Sequence, residues 1–266
     1  MKTTHSTLSA VLASTILAVS APLAHASDTI ELYKQTFDTT SGSNVTIGSL
    51  TTSTVGWVGL VGSVASTNAS SRVYVAPGNG NPSSDGAGYL AFTPSENAGP
   101  DDKIFTATTL FSTPLDLQSA TISWTMGNSL ATQSVQLLVK VGDSWYASST
   151  VFQSTAMKAT AFASAPTADL LRTLNFSTAK ENWRSFTLTS GVGMSLGSTL
   201  ENDLTSSLVS GIGFYVAFPA EATSGTVRVD TLTIVGPANI PEPGSAALLL
   251  GMGAMAWTAS RRGGRR

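Results

Sequence analysis

The chain has 266 residues, a formal net charge of −2 and no cysteine, and its two histidines, His5 and His25, both lie near the N-terminus. Beyond residue 25 it therefore lacks the side chains for a Ser-His-Asp triad, a Cys-His dyad, haem ligation by His, an Fe–S cluster or the usual zinc sites, and it can form no disulfide. Only 11% of the residues are charged, against roughly 25% in a typical soluble protein, so solubility rests on neutral polar groups.

In chain order, the first element is a secretory signal peptide over residues 1–26. Lys2 supplies its positive end, Leu8 to Ala21 its apolar stretch, and Ala24-His25-Ala26 an A-x-A cleavage site. Cleavage is expected between Ala26 and Ser27. The exported stretch 27–240 holds nine Lys and Arg against fifteen Asp and Glu. An acidic, hydroxyl-rich surface argues against nucleic acid, which requires clustered cations.

Residues 27–238 read as one all-β body. A single sandwich of this size is ordinary, and no linker or repeat divides it. Apolar side chains recur at every second position in Thr121–Met126, in Val135, Leu137, Val139 and Val141, and in Ile212, Phe214, Val216 and Phe218. That period marks strands with one buried face. Gly142-Asp143-Ser144 predicts a turn and Trp145–Phe152 a return strand. Leu32–Phe37, Val45–Leu50, Arg72–Ala76, Tyr89–Phe92 and Trp183–Leu188 are weaker strands, and a short helix is expected around Asp169–Arg172. The spacing Gly56-x-x-Gly59-x-x-Gly62 lacks the Gly-Lys-Ser/Thr ending of a phosphate loop, and predicts close sheet packing or a bend instead. In the last strand, Thr226–Val235, the apolar phase changes between Val229 and Leu232. A β-bulge near Asp230-Thr231 restores all four apolar residues to one face. The expected architecture is an antiparallel two-sheet β-sandwich.

The chain closes with Pro241-Glu242-Pro243, an apolar run from Ala246 to Ala259, and a basic end carrying Arg261, Arg262, Arg265 and Arg266. As a helix the run would reach about 21 Å, short of a hydrocarbon core of about 30 Å. The order and spacing of residues 239–266 resemble the PEP-CTERM sorting tail: motif, short transmembrane helix, Arg cluster. The resemblance implies recognition by an exosortase, transient attachment to the inner membrane with the arginines on the cytoplasmic side, and delivery to the cell surface or an exopolysaccharide matrix or biofilm. The closing strands of the body resemble those of carbohydrate-binding jelly rolls. That second resemblance implies a glycan ligand, with a structural role in the matrix as the other reading of the body, and a structural calcium held by Asp230 with Glu31 or Asp38 as partner.

Four aromatic residues are candidates for sugar contact: Trp57, Trp145, Tyr146 and Trp183. Trp124 reads as core, and one of Trp145 and Tyr146 must face outward, since they are consecutive in a strand. Asp101-Asp102 and Glu201-x-Asp203 admit a different reading, a polysaccharide hydrolase or lyase using two carboxylates of unlike pKa. No catalytic residue and no cofactor beyond that calcium is expected.

Overall fold

The computed structural model describes residues 28–39, 41–48, 55–62, 64–65, 71–77, 88–95, 99–128, 133–153, 170–189, 193–222 and 225–238. The signal peptide with Ala26 and Ser27, and the tail with Pro241, Glu242, Pro243 and the four arginines, lie outside these residues. So does the expected tail helix. No helix among the described residues is long and apolar enough to cross a membrane.

Among the described residues, fifteen strands build two antiparallel sheets: β1 (Thr29–Gln35), β2 (Val45–Thr46), β3 (Val58–Val61), β4 (Val64–Ala65), β5 (Arg72–Ala76), β6 (Tyr89–Thr93), β7 (Ile104–Asp116), β8 (Thr121–Asn128), β9 (Ser134–Val141), β10 (Ser144–Ser148), β11 (Leu171–Asn175), β12 (Trp183–Thr189), β13 (Gly193–Thr199), β14 (Leu208–Ala217) and β15 (Val227–Pro237). The seven-stranded sheet runs β11-β8-β15-β6-β5-β2, with β1 also paired to β15. The eight-stranded sheet runs β13-β12-β10-β9-β14-β7-β3-β4. The two inner faces enclose one large core, with Trp57, Phe105, Ile122, Trp124, Leu137, Phe214 and Ile234 all fully buried. This is the two-sheet β-sandwich that the alternating pattern predicts, and it is jelly-roll-like, as the resemblance of the closing strands implies.

The expected hairpin of β9 and β10 forms, with Tyr146 opposite Val139 and Trp145 opposite Lys140. Its return strand ends early, at Ser148, and Phe152 rejoins Val135 through an isolated bridge. The short helix expected around Asp169–Arg172 is met only at Leu170; Leu171–Asn175 form a strand against β8, because Leu174 alternates toward the core opposite Ile122. The longest strand, β7, is absent from the sequence reading. It alternates Phe105 and Ala107 inward with Thr106 and Thr108, a weak apolar contrast. Pro114 then lies in a stretch where β7 runs from Leu115 to Leu110 while β14 advances only from Val209 to Gly211.

The glycine spacing serves close packing, as predicted. A Cβ on Gly59 would sit 2.7 Å from Val73 Cβ of the opposite sheet. The Gly59 amide donates to Ile47 O, so β3 and the segment after β2 touch backbone to backbone.

The bulge in β15 also forms. Asp230 pairs with Thr125 and Thr233 with Ser123, so β15 uses one residue more than β8. Val227, Val229, Leu232 and Ile234 are consequently all fully buried. The bulge coincides with a fork. On its other side β15 pairs with β6 through Val227–Val229 and with β1 through Leu232–Pro237.

Candidate functional site

The sandwich has two outer faces, and they differ in shape and chemistry. On the eight-stranded sheet the outward side chains form a second apolar cluster: Leu60, Leu138, Ala147, Phe186, Met194 and Tyr215. Phe186 on β12 and Tyr215 on β14 stand three strand spacings apart and four residues out of level, roughly 20 Å in a flat sheet. Their ring centroids are 5.2 Å apart. The sheet must curl toward this face, which is therefore the concave one.

Trp145 lies on the floor of that concavity. Strand alternation puts Trp145 with Ala147 on the concave side and Tyr146 on the inner side, where it packs against the main core. The far carbon of the indole, Cη2, is 3.1 Å from where a Cβ on Gly211 would stand. Gly211 is on β14, two strands from β10, so the ring spans β9 and lies along the sheet. A side chain at position 211 would fill that seat. The residue is half-buried, so part of the indole is open to the groove.

Polar groups border this platform. Lys140 is directly opposite Trp145, and Phe186 flanks it on the other side. Arg184 Nε donates to Gly197 O at 2.8 Å, which fixes the guanidinium near Tyr215. Burial pushes the Tyr215 hydroxyl pKa above its ordinary value, and the Arg184 charge offsets part of that rise. Tyr215 thus stays a neutral hydroxyl through the physiological range. The strands of this sheet carry a single carboxylate, Asp116 at the end of β7. It accepts hydrogen bonds from Ser207 Oγ and the Gln118 amide, which hold its pKa below the usual aspartate value.

The other candidate aromatics are interior. Trp57 is fully buried, donates Nε1–H to Tyr33 Oη at 3.3 Å and stacks near Phe214. Trp183 is fully buried, with its indole N–H on Ser177 O at 2.6 Å. Each is enclosed because it starts or adjoins a strand on the core side. Neither offers a ring face to a ligand here. The contrast with Trp145 was not available from residue type alone.

The calcium candidates are divided. Asp230 is fully buried at the fork in β15, and its Oδ1 accepts the Thr231 amide at 2.7 Å. Thr125 Oγ1 donates to the Asp230 carbonyl. Asp38 is brought toward the fork by its bridge to Gly88, next to Tyr89 of β6, but its Oδ2 accepts from Thr36 Oγ1. Glu31 is exposed and paired with Val235, five residues along β15 from Asp230. No group of three or more His, Cys, Asp or Glu residues converges among the described residues. Asp101 and Asp102 are exposed on a 3₁₀ turn, whereas Glu201 and Asp203 lie before β14, where Asp203 caps the Lys180 amide. A cleft of about 350 Å³ opens between Gln118, Ser119, Phe176, Ser177, Thr178 and Ser207.

Against known proteins, no family model matches the chain. No curated protein matches it either. Among solved structures, the family 11 carbohydrate-binding module from Clostridium thermocellum, in complex with a β-1,3-1,4-mixed-linked tetrasaccharide, overlaps 74% of this chain and 98% of its own at 12% identity and a TM-score of 0.39. A cyclase from Fischerella sp. TAU overlaps 80% of this chain and all of its own at 11% identity and a TM-score of 0.38. An exo-β-agarase overlaps 71% of this chain at 12% identity and a TM-score of 0.38, and this chain spans 24% of it. Likeness at this level carries neither ligand nor activity across to this protein.

Proposed function

We propose that this protein is exported, sorted at Pro241-Glu242-Pro243 by an exosortase, and displayed at the cell surface or in an extracellular matrix, where its sandwich binds polysaccharide without transforming it. The observation that carries the binding reading is Trp145, a half-buried indole on the concave face whose far edge reaches over Gly211. A flat aromatic face suits the C–H face of a pyranose ring, and Lys140, Arg184 and the Tyr215 hydroxyl supply nearby polar groups. Glycoside hydrolysis needs two carboxylates flanking the scissile bond, and the strands lining this concavity place none at its centre. The sorting reading rests on the order of motif, short apolar run and arginines in residues 239–266.

Affinity electrophoresis through immobilised neutral polysaccharides tests the binding reading. At least one polymer should retard the protein, and Trp145→Ala should weaken that binding tenfold or more, about 1.4 kcal/mol. An unchanged affinity in a folded Trp145→Ala variant would exclude the platform. Mass spectrometry of the C-terminus tests sorting: the surface form should lack the arginines, and Pro241→Ala with Glu242→Ala should leave them in place.

A further inference from the structure

The cleft at the rim between the two sheets is no part of the concave face, and we infer that it is a second binding site, whose ligand is a neutral sugar unit. That the ligand is a saccharide rests on the glycan-binding reading; its size, its neutrality and the residues that hold it come from the cleft alone.

The lining residues come from the turn between β7 and β8 (Gln118, Ser119), the stretch after β11 (Phe176, Ser177, Thr178) and the residue before β14 (Ser207), where both sheets end. None belongs to the concave cluster. Ligand pockets span about 300–1,000 Å³, so a cleft of about 350 Å³ takes roughly one or two sugar rings rather than a length of polymer. These six residues bring four hydroxyls and one carboxamide, and none of them is charged. Two of the hydroxyls have a fixed sense. Ser207 Oγ donates its hydrogen to Asp116 Oδ1 at 2.6 Å, so toward the cleft it is an acceptor. Ser177 Oγ accepts the Ala179 amide at 3.2 Å and keeps its own hydrogen to donate. The Trp183 indole N–H on Ser177 O holds that segment in place. A set acceptor and a set donor suit a ring bearing several hydroxyls, each of which can play either part.

Ser119 points the same way. It sits in a turn closed by the Ala120 amide on Leu117 O at 2.9 Å, and holds φ at 60°. Glycine takes that conformation without steric cost and serine does not. The chain thus keeps a hydroxyl at the cleft where local strain alone favours glycine, and strain of this kind collects at binding sites. Charge decides the class of sugar. The segments that carry the lining, residues 116–120, 175–181 and 201–208, hold four carboxylates, Asp116, Glu181, Glu201 and Asp203, against one cation, Lys180. The Lys180 ammonium donates to Glu201 O at 3.1 Å, and Asp203 accepts the Lys180 amide. An anionic sugar would meet net negative charge here, and a neutral one meets no such penalty.

Saturation-transfer NMR on the full chain tests the site, with glucose, galactose and mannose as probes, each beside its uronate. At least one neutral sugar should bind, and its uronate should bind about tenfold more weakly. The methyl glycoside of that sugar separates two sources: equal affinity marks a chain end, lost affinity a free sugar, and either result keeps the site. Gln118→Ala with Ser177→Ala should lower the affinity about tenfold. Ser119→Gly removes one hydroxyl while relieving the turn, so it should weaken binding roughly threefold with the urea midpoint unchanged or raised. Trp145→Ala should leave sugar binding intact. No binding of any of the three sugars, equal binding of the uronates, unaltered affinity in both cleft variants, or loss of sugar binding in folded Trp145→Ala would overturn the inference. A failure of polysaccharide retardation alone would remove the Trp145 platform and leave this cleft standing.

Discussion

Trp145 and Tyr146 are neighbours in the chain, yet they serve different interiors. One lies in the concave groove and the other braces the main core, because consecutive strand residues point to opposite faces. Asp230 shows a similar reassignment of role. At the fork where β6 gives way to β1, a carboxylate oxygen satisfies the Thr231 amide, and Thr231 itself holds a left-handed φ of 49°. A β-branched residue adopts that conformation only when its surroundings impose it. Asp230→Ala should destabilise the protein by about 1–3 kcal/mol, the cost of stranding a buried amide. Asp230→Asn, which keeps an acceptor oxygen, should lose less. Urea unfolding midpoints with unchanged slope would measure both.

At the scale of elements, the two sheets are held together at a defined contact as well as by general apolar burial. β3 crosses close to β5 because Gly59 has no side chain to keep Val73 and Ile47 away. Gly59→Ala should cost about 1–3 kcal/mol through forced separation of the sheets. The expected signature is a lower thermal midpoint with secondary structure preserved below it, and an unchanged midpoint would disprove the close contact. The same logic explains why β7 was hard to read. Its inward residues include Ala107, and its outward ones mix Thr106 and Thr108 with Ile104, so hydrophobic contrast is low although the strand is central to its sheet. Long-range pairing to β14 and β3 decides it.

For the molecule as a whole, burial raises the pKa of Tyr33, Tyr89 and Tyr215, with desolvation the largest cause in each. These phenols ionise more readily in the unfolded chain than in the folded one. Their contribution to stability is therefore constant below the ordinary tyrosine pKa of about 10, and falls as pH rises above it. Asp116 acts in the opposite range: its lowered pKa adds a small, solvent-screened stability above pH about 4 that is lost on further acidification. Urea midpoints across alkaline pH should decline, and Tyr215→Phe should flatten part of that decline. An identical alkaline profile in the variant would count against a buried, neutral Tyr215.

Alternation, turn residues and the phase change at Asp230 were enough to predict a sandwich, its best hairpin and its bulge, since these depend on local period and on residue volume. The export and sorting readings of the chain's ends rest on sequence order alone and lie outside the described residues. Which tryptophan meets solvent was another matter. Trp57, Trp145 and Trp183 differ little in local sequence context, and only the curl of the eight-stranded sheet and the glycine at 211 leave one of them lying in a groove while the packing of two sheets encloses the others. The cleft that joins Gln118, Ser177 and Ser207 was equally hidden, because strand order within a sheet comes from contacts between residues far apart in the chain, and only that order brings these three together.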